Sequence, residues 1–156
     1  MGSYYIYEVK DAKVVERLLE KIRERGVEII YADGERIELD KIDIIVRRGD
    51  YTNTVYIILF ECIEPSDNAM WRELLKDLKM ILKECGEKVF SRSPAYLDDI
   101  DHDIEYLELK KVYKEYVKLE QLAYRVKLSL EHLVRRRGHV RKSDLVKILS
   151  WLGEVK

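Results

Sequence analysis

At 156 residues the chain can form one compact domain with an appendage, and its 47% hydrophobic fraction can build a core, which excludes a disordered protein. Apolar runs such as Val55 to Phe60 are far too short to span a bilayer and no charged-then-apolar leader opens the chain, so a soluble, cytoplasmic protein without membrane partners is expected. The net charge of -1 hides an asymmetry: residues 107–156 hold 13 of the 29 Lys and Arg but 6 of the 30 acids, so they carry +7 and the rest -8. Such a split points to a nucleic-acid surface or to association between opposite charges.

Tyr4 to Val9 is aromatic and β-branched, as a strand requires, and Asp11 then opens a helix in which Val14, Val15, Leu18, Leu19 and Ile22 recur at helical spacing until Gly26. Strands are expected on both sides of Asp33-Gly34, a hairpin dipeptide, running on into Ile42 to Val46. Gly49-Asp50 turns the chain, and Val55 to Ile63 returns as a run apolar enough to be buried on both faces. After Pro65 the stretch Ser66-Asp67-Asn68 caps a helix with Met70, Leu74, Leu78, Ile81 and Leu82 on one side, ending at Gly86, and Val89-Phe90 forms a short strand. The order predicts an α/β fold: a mixed sheet with flanking helices over residues 1–93.

From Ser93-Pro94 onward the pattern is helical, giving an extension over 94–156 that is expected to pack on the core. Leu109, Val112, Tyr116, Leu119, Ala123, Val126, Leu130 and Leu133 alternate steps of three and four, a narrow seam like that of a coiled coil. Tyr113, Val117, Tyr124 and Leu128 add a second stripe, which favours a homodimer or larger complex through the 109–133 helix. The acidic run Leu97 to Glu105 reads as acids complementing a helix dipole rather than as a metal cluster with His102. A last short helix, capped by Ser143, carries Leu145, Ile148, Leu149 and Leu152. Cys62 and Cys85 lack partners at metal-ligand spacing and are expected to be reduced thiols, and a 38% charged fraction with one glutamine and two asparagines suits a thermophile.

Four stretches between about Asp11 and Phe90 carry a family likeness. "VERLLEKIRERGVEII" looks like an opening helix and strand, "IDII" is similar to a "PDII" motif, "FECI" stands where "IEVK" is expected, and "LLKDLKMILKECGEKVF" matches a closing helix and strand. Together they resemble the PD-(D/E)XK nuclease superfamily, and within it the archaeal Holliday junction resolvases, whose fold is a restriction-endonuclease-like core. The resemblance implies a site of Glu16, Asp43 and Glu61, with Asp43 and Glu61 as ligands of Mg²⁺, which polarises a phosphodiester and activates water. Ile63 replaces the motif lysine, so lost catalysis is the favoured reading. A basic residue from a neighbouring strand could substitute, and Lys10, Lys41, Arg47 and Arg48 are the candidates. The plain reading of Asp43 and Glu61, as sheet-end residues, stays open beside this one.

The segment "RRRGHVRK" holds more cations than a helix C-terminus calls for. Arg135, Arg136, Arg137, His139, Arg141 and Lys142 are therefore the expected nucleic-acid contacts, with DNA favoured. Three functions follow. The first is a nucleic-acid-binding accessory subunit in DNA or RNA processing, with an incomplete metal site and no cofactor. The others are an active Mg²⁺-dependent nuclease with a relocated basic residue, and a protein-interaction subunit that does not bind nucleic acid.

Overall fold

A computed structural model describes residues 2–62 and 68–150. Its strands are β1 (Gly2–Val9), β2 (Tyr31–Ala32), β3 (Arg36–Glu38), β4 (Ile42–Arg48), β5 (Val55–Glu61) and β6 (Gly86–Ala95). The helices are α1 (Val14–Glu24), α2 (Ala69–Cys85), α3 (Asp99–Arg137) and α4 (Lys142–Ser150). Two compact units divide at Glu108 and Leu109, inside α3. The division falls there rather than near residue 93 because Ile100, Ile104 and Leu107, at the start of α3, complete the core of the first unit.

The first unit is one six-stranded sheet in the order β2-β3-β4-β5-β1-β6. Every neighbouring pair is antiparallel, which corrects the expectation of a mixed sheet. Strands joined through helices do run parallel, but none of them are neighbours: α1 carries the chain from β1 to the far edge, and α2 carries it from β5 across β1 to β6. β1 and β5 point in opposite directions and their connections travel in opposite directions, so two right-handed crossovers set both helices on the same face. Both do pack there, with Leu18 and Ile22 of α1 and Leu74, Leu78 and Leu82 of α2 over Ile44, Ile57 and Leu59. On the other face Ile100, Ile104 and Leu107 cover Tyr4, Ile6, Ile45, Ile58 and Phe60. β5 lies between the two layers and is buried along its whole length, as its unbroken apolar run requires.

The Asp33-Gly34 hairpin forms, held by Asp33 Oδ1 accepting from the amides of Glu35 and Arg36, but its strands are short. β6 is longer than Val89-Phe90, because β1 offers it a ladder from Gly2 to Val9 and polar residues are tolerated at an edge. Gly86 ends α2 by close approach rather than by a left-handed turn: its φ is -173°, and a Cβ there would lie 2.0 Å from the Glu8 carbonyl oxygen. No described helix is long and apolar enough to cross a membrane.

The second unit consists of α3 from Leu109 onward and α4. Gly138, at φ +73°, turns the chain between them, and Asp144 braces the turn by accepting from Arg137 at 2.7 Å and from the Arg141 amide at 3.3 Å. Ile148 and Leu122 are buried in this unit. In the single chain the seam from Leu109 to Leu133 is unevenly covered: Val126, Leu130 and Leu133 are half-buried, whereas Leu109, Val112, Tyr116 and Leu119 are exposed.

Candidate functional site

Pairing on the β4–β5 ladder decides what the two motif acids can do. Ile42 stands opposite Glu61, and Asp43 opposite Phe60, so the period of two along each strand turns the carboxylates to opposite faces of the sheet. Glu61 lies on the α1/α2 side with Leu59, and Asp43 on the α3 side with Ile45 and Phe60. One Mg²⁺ cannot take a ligand from each through a central pair of strands, so this donor set does not fit the implied metal. Glu16 is exposed on α1. Ile63, the replaced lysine, lies outside the described residues.

Glu61 is 9% exposed and, as its burial demands, is paired. Its partner is none of the cations suggested by the sequence. Lys79 of α2 brings Nζ to 3.6 Å from Glu61 Oε1 and lies 4.0 Å from the centroid of the Tyr5 ring, an ion pair with a cation–π contact. Of the suggested cations, Lys10, Arg47 and Arg48 sit at the other end of the sheet, where Val9 and Arg48 pair with Val55. That end is roughly 20 Å from Glu61 along β5. Only Lys41 is at the same end, its carbonyl accepting from the Cys62 amide at 3.0 Å.

Asp43 is half-buried, and its Oδ1 is buried without a hydrogen-bond partner among the described residues. Burial raises its pKa, and the Cys62 thiol and the Leu39 backbone, which favour the charged form, do not offset that. The same neighbourhood pushes the Cys62 thiol up to about 12, through its own burial first and then the Asp43 charge. An acid whose folded pKa is raised favours folding most below its unfolded value, and loses that contribution as pH climbs through the folded one. Asp43→Asn should therefore raise the melting temperature at pH 7 but not at pH 3, checked by thermal melts at both. A melt lowered at pH 7 would mean that Asp43 holds an interaction its burial does not reveal.

The carboxylates with a full set of partners are Asp103, inside the acidic run, and Glu108, which lies between that run and the seam. Asp103, 4% exposed, accepts two bonds from Arg92, at 2.7 and 2.6 Å, and one from the Tyr4 hydroxyl. Glu108, 1% exposed, accepts from the amides of Tyr51 (3.1 Å) and Thr52 (2.9 Å) and from the hydroxyls of Thr52 and Tyr56 (2.7 Å each). Burial alone would raise both pKa values, but these donors outweigh it and hold both carboxyls below their usual range. In turn, burial and the adjacent carboxylates raise the Tyr4 and Tyr56 hydroxyls. Gly49 makes room for the second site, since a Cβ there would lie 1.9 Å from Glu108 Oε1. Buried and held by three and four hydrogen bonds, both acids fasten α3 to the sheet.

In the second unit, Arg135, Arg136, His139, Arg141 and Lys142 are all exposed around Gly138. Arg137 is half-buried and committed to Asp144, which takes it out of the expected contact set. His139 Nδ1 lies 3.0 Å from the Arg137 carbonyl oxygen. Four exposed Arg and Lys side chains thus surround one turn, in a unit whose sequence holds 13 Lys and Arg against 5 acids.

No protein-family profile, curated protein or solved structure matches this chain.

Proposed function

We propose that the protein binds nucleic acid through the α3–α4 turn and does not cleave it, acting as an accessory chain in DNA or RNA processing. The observation that carries this reading is the grouping of Arg135, Arg136, Arg141 and Lys142, exposed on both sides of Gly138, in a unit with a net charge of +8. Cations on a short turn between helices can reach phosphates on either strand of a duplex, and such contacts position a protein without reading bases. No Phe, Tyr or Trp lies between Arg135 and Lys142, so stacking on bases adds little there and duplex DNA is the favoured ligand. The divergence of Asp43 and Glu61 supports binding over cleavage.

Fluorescence anisotropy with a labelled duplex, titrated from low to high salt, tests the reading. Four engaged phosphates give a slope of log affinity against log salt of roughly -3 to -4. A protein that leaves the duplex unbound at low salt would defeat the proposal, and metal-dependent cutting of the probe would defeat its non-catalytic half.

A further inference from the structure

α3 beyond Glu108 has a broad apolar face that the described chain leaves open. At about 100° per residue, the positions within about 60° of Leu109 form one stripe down the helix. Its exposed members include Leu109, Val112, Tyr113, Tyr116, Tyr124 and Val134, between 42% and 65% accessible. An aromatic and aliphatic surface of this extent on one helix marks an interaction site. From Leu109 to Val134 the stripe includes only three charges, Glu120, Lys127 and Glu131, and every other cation of α3 in that stretch lies outside it.

Those three charges indicate what covers the face. Lipid is disfavoured, because Glu120 and Glu131 would be driven into the acyl layer with the tyrosines. Phosphate is disfavoured for the same two acids. A second copy aligned in parallel would set Glu120 on Glu120, Lys127 on Lys127 and Glu131 on Glu131. Turned antiparallel about the point between Ala123 and Tyr124, each Glu120 meets the other copy's Lys127. In that register Glu131 meets the Tyr116 hydroxyl end, and Val134 packs on Tyr113. Lys127 and Glu120 fall near the middle of the stripe, and charges set inside a helix seam fix the register and orientation of paired helices.

We infer that the protein forms a homodimer through an antiparallel pairing of the 109–134 stretch of α3, centred between Ala123 and Tyr124. This face is distinct from the basic turn, so its test needs no nucleic acid. Light scattering at high micromolar concentration should give twice the 18.6 kDa chain mass. Glu120→Lys places two cations together at both crossings and should weaken dimerisation by about tenfold or more, as should Lys127→Glu. The double variant Glu120→Lys/Lys127→Glu should restore it. Both positions are exposed in the single chain, and an unchanged circular dichroism spectrum with a cooperative melt would confirm that the single variants fold. A wild type that stays at the monomer mass overturns the inference, as do single reversals that leave the dimer intact, the result a parallel pairing gives.

Discussion

Glu108→Ala should lower the unfolding free energy by about 3 to 4 kcal/mol, read as a shift in the urea midpoint at constant slope. The carboxylate is 1% exposed and accepts from four donors, of which the Tyr56 hydroxyl is buried beneath α3. Alanine removes the acceptor and leaves those donors facing a cavity, which is costlier than never having formed the bonds. The β4–β5 turn, tied down through the Tyr51 and Thr52 amides, loosens with it. The effect has a pH signature. Because the folded pKa of Glu108 is depressed, its contribution is complete above the unfolded carboxyl value of about 4.3 and fades as pH falls through the lower folded value. The gap between wild type and variant should therefore narrow at strongly acid pH, down to the part owed to the cavity and the lost acceptor. A loss below about 1 kcal/mol at pH 7 would mean that the turn finds other acceptors and that α3 is held by Asp103 and by Ile100, Ile104 and Leu107.

Much of the first unit was legible because local chemistry and burial agree there. The apolar run of β5 reads as a strand covered on both faces, and it is; Asp33-Gly34 reads as a hairpin, and Asp33 closes it. The strand directions were not legible. A helix between two strands implies that they run parallel, and says nothing about whether a third strand lies between them, as β1 does between β5 and β6. The relation between the motif acids was not legible for a similar reason: "IDII" and "FECI" place an Asp and a Glu at neighbouring strand ends, but which face each occupies depends on the pairing register, and a shift of one residue reverses it. Asp103 was overlooked because acids near a helix start already have an explanation in the dipole, and Glu108, between the acidic run and the seam, belongs to neither pattern. A signal was available. Ile100, Asp103, Ile104 and Leu107 fall at i, i+3, i+4 and i+7, which puts Asp103 on the buried stripe, and tyrosines inside apolar strands need a partner for the hydroxyl. In the second unit the seam was legible as a pattern, but a pattern of apolar residues does not say whether its own chain or another covers it.

Neutralising the turn as Arg135→Gln, Arg136→Gln, Arg141→Gln and Lys142→Gln together should reduce duplex affinity by about a thousandfold at 0.1 M salt and nearly abolish the salt dependence. The size follows from counterion release: four phosphate contacts at about 0.9 ions each contribute between three and four decades at that salt concentration relative to 1 M. Unrelated duplex sequences should lose affinity alike, because phosphate contacts carry no base information. Arg137 gives the control. Its guanidinium is held by Asp144 at 2.7 Å, so Arg137→Gln should leave the salt slope nearly unchanged while loosening the turn, seen as a lower melting temperature of the second unit. If the fourfold variant binds as wild type does, or if Arg137→Gln alone removes the salt dependence, phosphate recognition does not reside in the exposed cations around Gly138. The acidic surfaces of protein partners then become the ligands to test.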